Sequence, residues 1–335
     1  MSLTQVTSDM IAFDGGSFGF RNRIINGAMN VWQRATTYAL TAGFAYGSAD
    51  RWSFTQVTSA NGVANQVASA LSGFRYDLKL GRNSSAVTTG NIYAVQAVET
   101  ANSVDLAGQT VTLSLYAKAG SNFSASASLL NFQIYSGTGA DQTAATLGSW
   151  TGLATVASGA ATLTTSYQRF TVTGTVPTNA TQLAVQLFFT PTGTAGADDF
   201  IYITGVQLEK GAVATAFDFK PIGVDISLCH RYFQLAGSGI AGNTEGTTSI
   251  SVIEKFSTPM RAAPSTVTIN SGNTCQFRYS GADQPFASPT LASVTATSTS
   301  VWALVGGGSA LTSNLPVHSR NASATNLFIA LNAEI

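Results

Sequence analysis

The chain has 335 residues, with 16 basic and 16 acidic side chains, a formal net charge of zero and no run of Lys or Arg that could follow a phosphate backbone, which argues against a nucleic-acid ligand. Charged residues make up only 10%, against roughly 25% in ordinary soluble domains, so the polar surface must come from Ser, Thr, Asn, Gln and Gly. Apolar residues at 44%, including 19 Phe, 10 Tyr and 4 Trp, exclude a disordered chain, and the length suits two domains of ordinary size.

Residues 1–20 lack the basic start and long apolar core of a signal peptide and read as an N-terminal arm packing on a neighbouring subunit. No stretch of the chain reaches the roughly 18 uninterrupted apolar residues of a membrane span, so membrane insertion is not expected. From 21 to 221, short alternating or apolar runs are separated by Gly, Asn, Ser and Pro, the pattern of many short strands. The clearest strands are expected at 93–99, 111–117, 132–135, 168–176, 183–189 and 200–208. Alternation of this kind gives each strand one buried face and one wet face. With no helical segments between the strands, an antiparallel jelly-roll sandwich is expected rather than an α/β sheet.

Residues 222–236 break the pattern and read as a connecting helix. Asp225 would cap it, with Ile226, Cys229, Tyr232 and Phe233 on one face and Pro221 marking its boundary. From 237 to 335 a second, smaller β-sandwich domain is expected, with strands near 249–256, 266–270, 276–279, 301–305 and 326–331. A domain this size buries a lower fraction of its surface, which favours self-association, and a homotrimer is expected. Cys229 and Cys275 lie in different elements and read as buried thiols, since two cysteines make no disulfide framework. The fold class is therefore all-β: an N-terminal jelly-roll sandwich, a short connecting helix and a smaller C-terminal β-sandwich.

Chemistry is scarce. Only His230 and His318 are available as imidazole bases, and neither sits in a nucleophile motif. Asp198 and Asp199 are adjacent, so on a strand they face opposite ways and do not form the carboxylate pair of a glycosidase. No catalysis is expected. No cofactor is expected either, a rim calcium held by Asp14, Asp50, Asp198, Asp199 or Asp218 being the one open possibility. Trp32 and Trp52 read as core anchors, with Arg34, Asp50 and Arg51 as a charge-assisted network at the sandwich edge and Tyr232 and Phe233 as core or interface. Gln207 and Glu209 alternate outward from a buried strand, toward solvent or an interface. If sugars bind, they would stack on loop aromatics, for which the candidates are Tyr38, Phe44, Tyr46, Trp150 and Tyr167.

Three stretches carry a resemblance. NRIINGAMNVWQR at 22–34 with SADRW at 48–52, and IYITGVQLEKG at 201–211 with ATAFD at 214–218, resemble the opening and closing segments of jelly-roll domains in tailed-bacteriophage tail-fibre and other virion proteins. These domains are similar to carbohydrate-binding modules. LCHRYF at 228–233, FSTPMRAAP at 256–264 and the closing NAEI at 332–335 resemble the helix and C-terminal β domain that follow that jelly roll. The resemblance implies a virion structural protein on the tail or capsid surface, assembled in the host cytoplasm. Its expected role is a tail fibre or receptor-binding protein touching host cell-surface polysaccharide, with a capsid decoration, cement or neck protein binding other virion proteins as the alternative. Fold likeness alone does not choose between them.

Overall fold

The computed structural model describes residues 21–57, 61–236, 241–269, 275–280, 282–286, 289–309, 311–319 and 329–335. The expected N-terminal arm and Asp14 lie outside these residues, as do the side chains of Cys275 and His318. The chain divides into two compact units, one covering residues up to 222 together with Ile335 and the other 223–334.

The first unit is a jelly-roll sandwich. Its strands are β1 (Thr37–Ala39), β2 (Ser53–Gln56), β3 (Gly62–Ala68), β4 (Tyr76–Arg82), β5 (Ile92–Val98), β6 (Thr110–Ala119), β7 (Leu129–Gly137), β8 (Ala154–Thr162), β9 (Gln168–Thr175), β10 (Gln182–Phe189) and β11 (Asp199–Lys210). They form a six-stranded sheet in the order β1-β3-β4-β11-β6-β9 and a five-stranded sheet in the order β2-β5-β10-β7-β8, all pairs antiparallel. Each strand predicted from alternation in this unit is present. The inward residues of both sheets meet in one core, with Leu113, Leu115, Ile201 and Ile203 from one side and Ile92, Leu130, Leu183, Leu187 and Phe189 from the other. Trp52 is fully buried there and Trp32 packs against its margin.

A bulge in β11 sets which residues face outward at its second half. The register with β6 shifts between Thr204 and Gln207, where Gly205 takes a φ of +60°, a conformation that favours glycine. The core therefore receives Ile201 and Ile203 before the bulge and Val206 and Leu208 after it. Gln207 and Glu209 point outward, as alternation predicts, yet they are buried rather than wet. The segment after β11 covers them: the Thr215 N–H and hydroxyl donate to Glu209 at 2.8 and 2.6 Å, and the Asp218 N–H donates to Gln207 Oε1 at 2.8 Å. This corrects the expected solvent or interface role, because sequence alternation cannot register a loop folding back over a sheet.

At one end of the sandwich Arg82 and Asp199 form a fully buried ion pair. All five guanidinium donors are used: Nε on Asp199 at 2.7 Å, Nη1 on the carbonyls of Thr88 and Gly193, and Nη2 on the Ser124 hydroxyl and the Thr192 carbonyl. Asp199 in turn accepts from the Ser124 N–H at 2.7 Å and the Ser124 hydroxyl at 3.0 Å. Three loops are thereby tied to two strands, and complete pairing is what lets two charges persist out of water.

The second unit holds a three-stranded sheet, β12-β21-β15, and a seven-stranded sheet, β17-β16-β20-β13-β14-β19-β18. The strands are β12 (Phe233–Ala236), β13 (Ala241–Glu245), β14 (Ser249–Lys255), β15 (Thr266–Ile269), β16 (Cys275–Tyr279), β17 (Ala282–Phe286), β18 (Thr290–Ala296), β19 (Ser300–Gly306), β20 (Pro316–Ser319) and β21 (Ile329–Asn332). Ile250, Val252, Phe277, Phe286, Val301 and Val305 from the large sheet share a core with Ile329 and Leu331 from the small one. The helix α1 (Ile222–His230) is shorter than the predicted 222–236. It starts directly after Pro221, so Asp225 lies buried in its first turn instead of capping it, and Ile226 is 36% exposed instead of facing the core. Tyr232 is buried beyond its end, and Phe233 pairs with Asn332 as the first residue of β12. Pairing with β21 outcompetes continuation of the helix. Cys229 is buried, and burial holds the His230 imidazole below its ordinary value of 6.5.

Candidate functional site

The predicted aromatic candidates do not come together. Tyr38 sits on β1 opposite Ala64 and packs against the core. Trp150 is only 4% exposed and donates its indole N–H to the Thr143 carbonyl at 2.9 Å, so it has no free face for a sugar. Its ring comes within 3.0 Å of where a Cβ on Gly137 would be. The Arg34 guanidinium lies 5.6 Å over the Tyr46 ring. Tyr167 belongs to the six-stranded face, its hydroxyl donating to Asp77. Phe44 alone reaches the surface described next.

That surface is the outward face of the five-stranded sheet. With Ile92, Ala94, Leu183, Leu187, Phe132 and Ile134 committed to the core, alternation turns Tyr93, Gln186, Phe188, Asn131, Gln133 and Tyr135 outward, and each is half-buried. Register sets them side by side: Phe188 lies opposite both Tyr93 and Asn131, and Gln186 lies opposite Gln133. Ala45 bridges to Phe54 at the β2 edge, and beside it Phe44 extends the row. The Phe44 and Tyr93 ring centroids are 5.9 Å apart, and those of Tyr93 and Phe188 are 5.3 Å apart and nearly parallel. An aromatic stripe thus crosses the strands, flanked by side-chain amides.

The polar tips are ordered. Asn91 donates to the Tyr93 hydroxyl at 2.9 Å and accepts from Thr190 at 2.7 Å, while the Tyr135 hydroxyl donates to Gln133 at 2.5 Å and Gln133 donates to Ser158 at 3.1 Å. Burial, with a smaller contribution from Tyr93, pushes the Tyr135 phenol above its ordinary value, so it stays a neutral donor. None of the five strands contains Asp, Glu, Lys or Arg. Sequence reasoning missed Tyr93, Gln133, Tyr135, Gln186 and Phe188 because it looked for ligand contacts in loops. Their signal was an aromatic or amide at the outward position of an otherwise apolar strand.

Arg34, Asp50 and Arg51, expected to form a network at the sandwich edge, make several contacts. Arg34 reaches Asp50 at 3.5 Å, Gln33 donates to both Asp50 oxygens, and Arg51, which is buried, donates to the Ala97 carbonyl at 2.9 Å. Asp218 accepts the Arg21 N–H at 2.9 Å and Asp198 faces Lys79 at 3.2 Å. Asp50, Asp198, Asp199 and Asp218 thus serve local partners, and among the described residues no three His, Cys, Asp or Glu side chains converge. Asp198 and Asp199 face an ammonium and a guanidinium, respectively.

No known protein family matches the chain, and no curated protein matches it. Among solved structures, 57% of the chain aligns with 22% of the enzymatically active domain of bacteriophage CBA120 tailspike protein 4, at 13% identity and a TM-score of 0.34. Likewise, 52% of the chain aligns with 99% of a xylan-binding domain from carbohydrate-binding module family 22, at 14% identity and a TM-score of 0.32. The family 11 carbohydrate-binding module of a Clostridium thermocellum cellulosomal cellulase gives 11% identity and a TM-score of 0.31, over 54% of this chain and 99% of that one. The chain spans about a fifth of the tailspike domain. At these TM-scores the likenesses carry no argument about function.

Proposed function

We propose that this protein is a non-catalytic glycan-binding protein whose site is the outward face of the five-stranded sheet. The observation that carries this reading is the chemistry of that face: an aromatic stripe of Phe44, Tyr93 and Phe188 beside Asn131, Gln133, Gln186 and Tyr135, on strands without a single charge. Apolar ring surface takes the C–H faces of a pyranose, and amides and phenols, which both donate and accept, match sugar hydroxyls. A charge-free face suits a neutral polysaccharide, since no charge has to be desolvated on binding.

The resemblance of the motifs at 22–34, 48–52 and 201–218 to segments of tailed-phage virion proteins supports a virion as the setting, in which such a face would serve host adsorption. Affinity electrophoresis of the full chain in gels containing neutral polysaccharides tests the binding. Retardation is expected in at least one gel, with Tyr93→Ala and Phe188→Ala weakening it by about tenfold or more, which is at least about 1.4 kcal/mol. Equal retardation of wild type and both variants would remove the face from consideration. Adsorption of the purified protein to susceptible cells, lost when surface polysaccharide is stripped, tests the setting. Binding that survives stripping counts against it.

A further inference from the structure

The outward face of the six-stranded sheet has the opposite chemistry. Lys79 on β4, Tyr202 on β11 and Lys118 on β6 stand opposite one another in register, and Tyr167 directly precedes β9 beside them. Cations and rings alternate along this row: the Lys79 ammonium lies 4.2 Å over the Phe200 ring and 5.4 Å over Tyr202, and the Lys118 ammonium lies 4.6 Å over Tyr202 and 5.0 Å over Tyr167. Each cation contact draws the row together, because the negative ring face attracts the ammonium.

The carboxylates are distributed unevenly. Lys79 is paired with Asp198 at 3.2 Å, and Asp198 also accepts the Tyr202 hydroxyl at 2.7 Å and the Ser121 N–H at 3.1 Å. Lys118 meets two rings and, among the described residues, no ion-pair partner. Behind Tyr167 lies Asp77, 1% exposed, whose Oδ2 takes the Tyr167 hydroxyl while its Oδ1 has no hydrogen-bond partner. One cation that makes no ion pair, one buried carboxylate oxygen that makes no hydrogen bond and two ring surfaces therefore stand together, with Lys118 and Ser69 near enough to Asp77 to pull its carboxyl down. A buried acceptor left without a donor is costly and marks an unfilled requirement.

We propose that this row is a second binding site, for a pyranose bearing a carboxylate: Lys118 pairs with the carboxylate, Tyr167 and Tyr202 pack against the ring, and a sugar hydroxyl donates to Asp77 Oδ1. Tyr167, half-buried and tethered at its tip to Asp77, is the side chain that must shift to admit that hydroxyl. A phosphate fits less well, because it brings few hydroxyl donors for Asp77 Oδ1 and no apolar ring face for the tyrosines. The site is independent of the neutral-glycan face, which lies on the other sheet.

The test is an NMR titration of the full chain with tyrosine rings labelled, using glucuronate, galacturonate and N-acetylneuraminate as probes, with glucose, galactose and inorganic phosphate as controls. At least one acid sugar is expected to shift the Tyr167 and Tyr202 signals saturably, while the controls leave them in place. Lys118→Met, which keeps the apolar stem, is expected to weaken that binding by about tenfold or more. Tyr93→Ala is expected to leave it unchanged. The proposal is overturned if no acid sugar moves these rings, if glucose, galactose or phosphate moves them equally, or if a Lys118→Met chain of unchanged thermal stability binds as wild type does. Loss of the effect in Tyr93→Ala would also overturn it, by assigning it to the other face. Because neutral-glycan retardation is read separately, failure here leaves that reading standing or falling on its own experiment.

Discussion

The two sheets of the sandwich share one core but have divided the polar work between them. The six-stranded sheet places Asp77, Lys79, Arg82, Lys118, Arg169, Asp199, Glu209 and Lys210 on its strands, and the five-stranded sheet places no charge on any of its own. In a chain that is only 10% charged, that is a concentration. It teaches that the low overall charge is not spread evenly. One sheet uses ions to fix loops and order its surface, while the other is left with rings and amides, which meet a neutral ligand without the desolvation of a charge.

The sharpest way to break this division is to remove a charge from the structural side. Arg82→Ala leaves Asp199 buried without its partner, and the expected cost is about 3–5 kcal/mol, read from denaturant midpoints. A loss under about 1 kcal/mol, the range of an exposed pair, would show that the pair is not a structural anchor. Salt gives a smaller and more selective effect. Raising ionic strength from roughly 0.05 to 0.5 M shortens the Debye length and is expected to weaken acid-sugar binding at Lys118 several-fold while leaving retardation by neutral polysaccharide unchanged. A parallel loss in both would erase the distinction between the faces.

The smallest effect expected is in acid. Burial alone would raise the Asp198 carboxyl, but the Tyr202 hydroxyl, the Ser121 N–H and Lys79 outweigh it and hold it below the ordinary 3.8. A carboxyl lowered in the folded state adds stability that is fully present above 3.8 and is lost as pH falls through the folded value. Asp198→Asn should therefore lower stability slightly at neutral pH and flatten the decline below pH 3.8. Asp77 works in the opposite sense. Burial raises its carboxyl against the pull of Tyr167, Ser69 and Lys118, so the stability it adds grows as pH falls from its folded value to 3.8, and Asp77→Asn should steepen the decline above pH 3.8, as measured by thermal melts across pH 3–6.

Much of the architecture was legible because strands such as β7 and β10 alternate one apolar face with one polar face, and both were expected within a few residues of their observed ends. β4 was harder: its Asp77 and Arg82 are buried charges that only a completed tertiary network makes tolerable, and no local pattern announces such a network. The site was legible only at Phe44. Trp150 and Tyr38 look like loop aromatics in sequence, yet one is sealed beneath its own loop and the other packs on the core. Tyr93 and Phe188 stand five strands and nearly a hundred residues apart in sequence, and only the pairing of β5 with β10 makes them a stripe. Register, which is non-local, was the missing information.

The Arg82 junction has a consequence beyond its energy. A dissolved ion holding the same loops would obey mass action and leave as its concentration fell. A guanidinium carried on β4 is always present at one equivalent, so dilution and chelators do not weigh on this contact. For a protein exposed to whatever medium surrounds it, the end of the sandwich is fastened by a cation that is inherited rather than acquired.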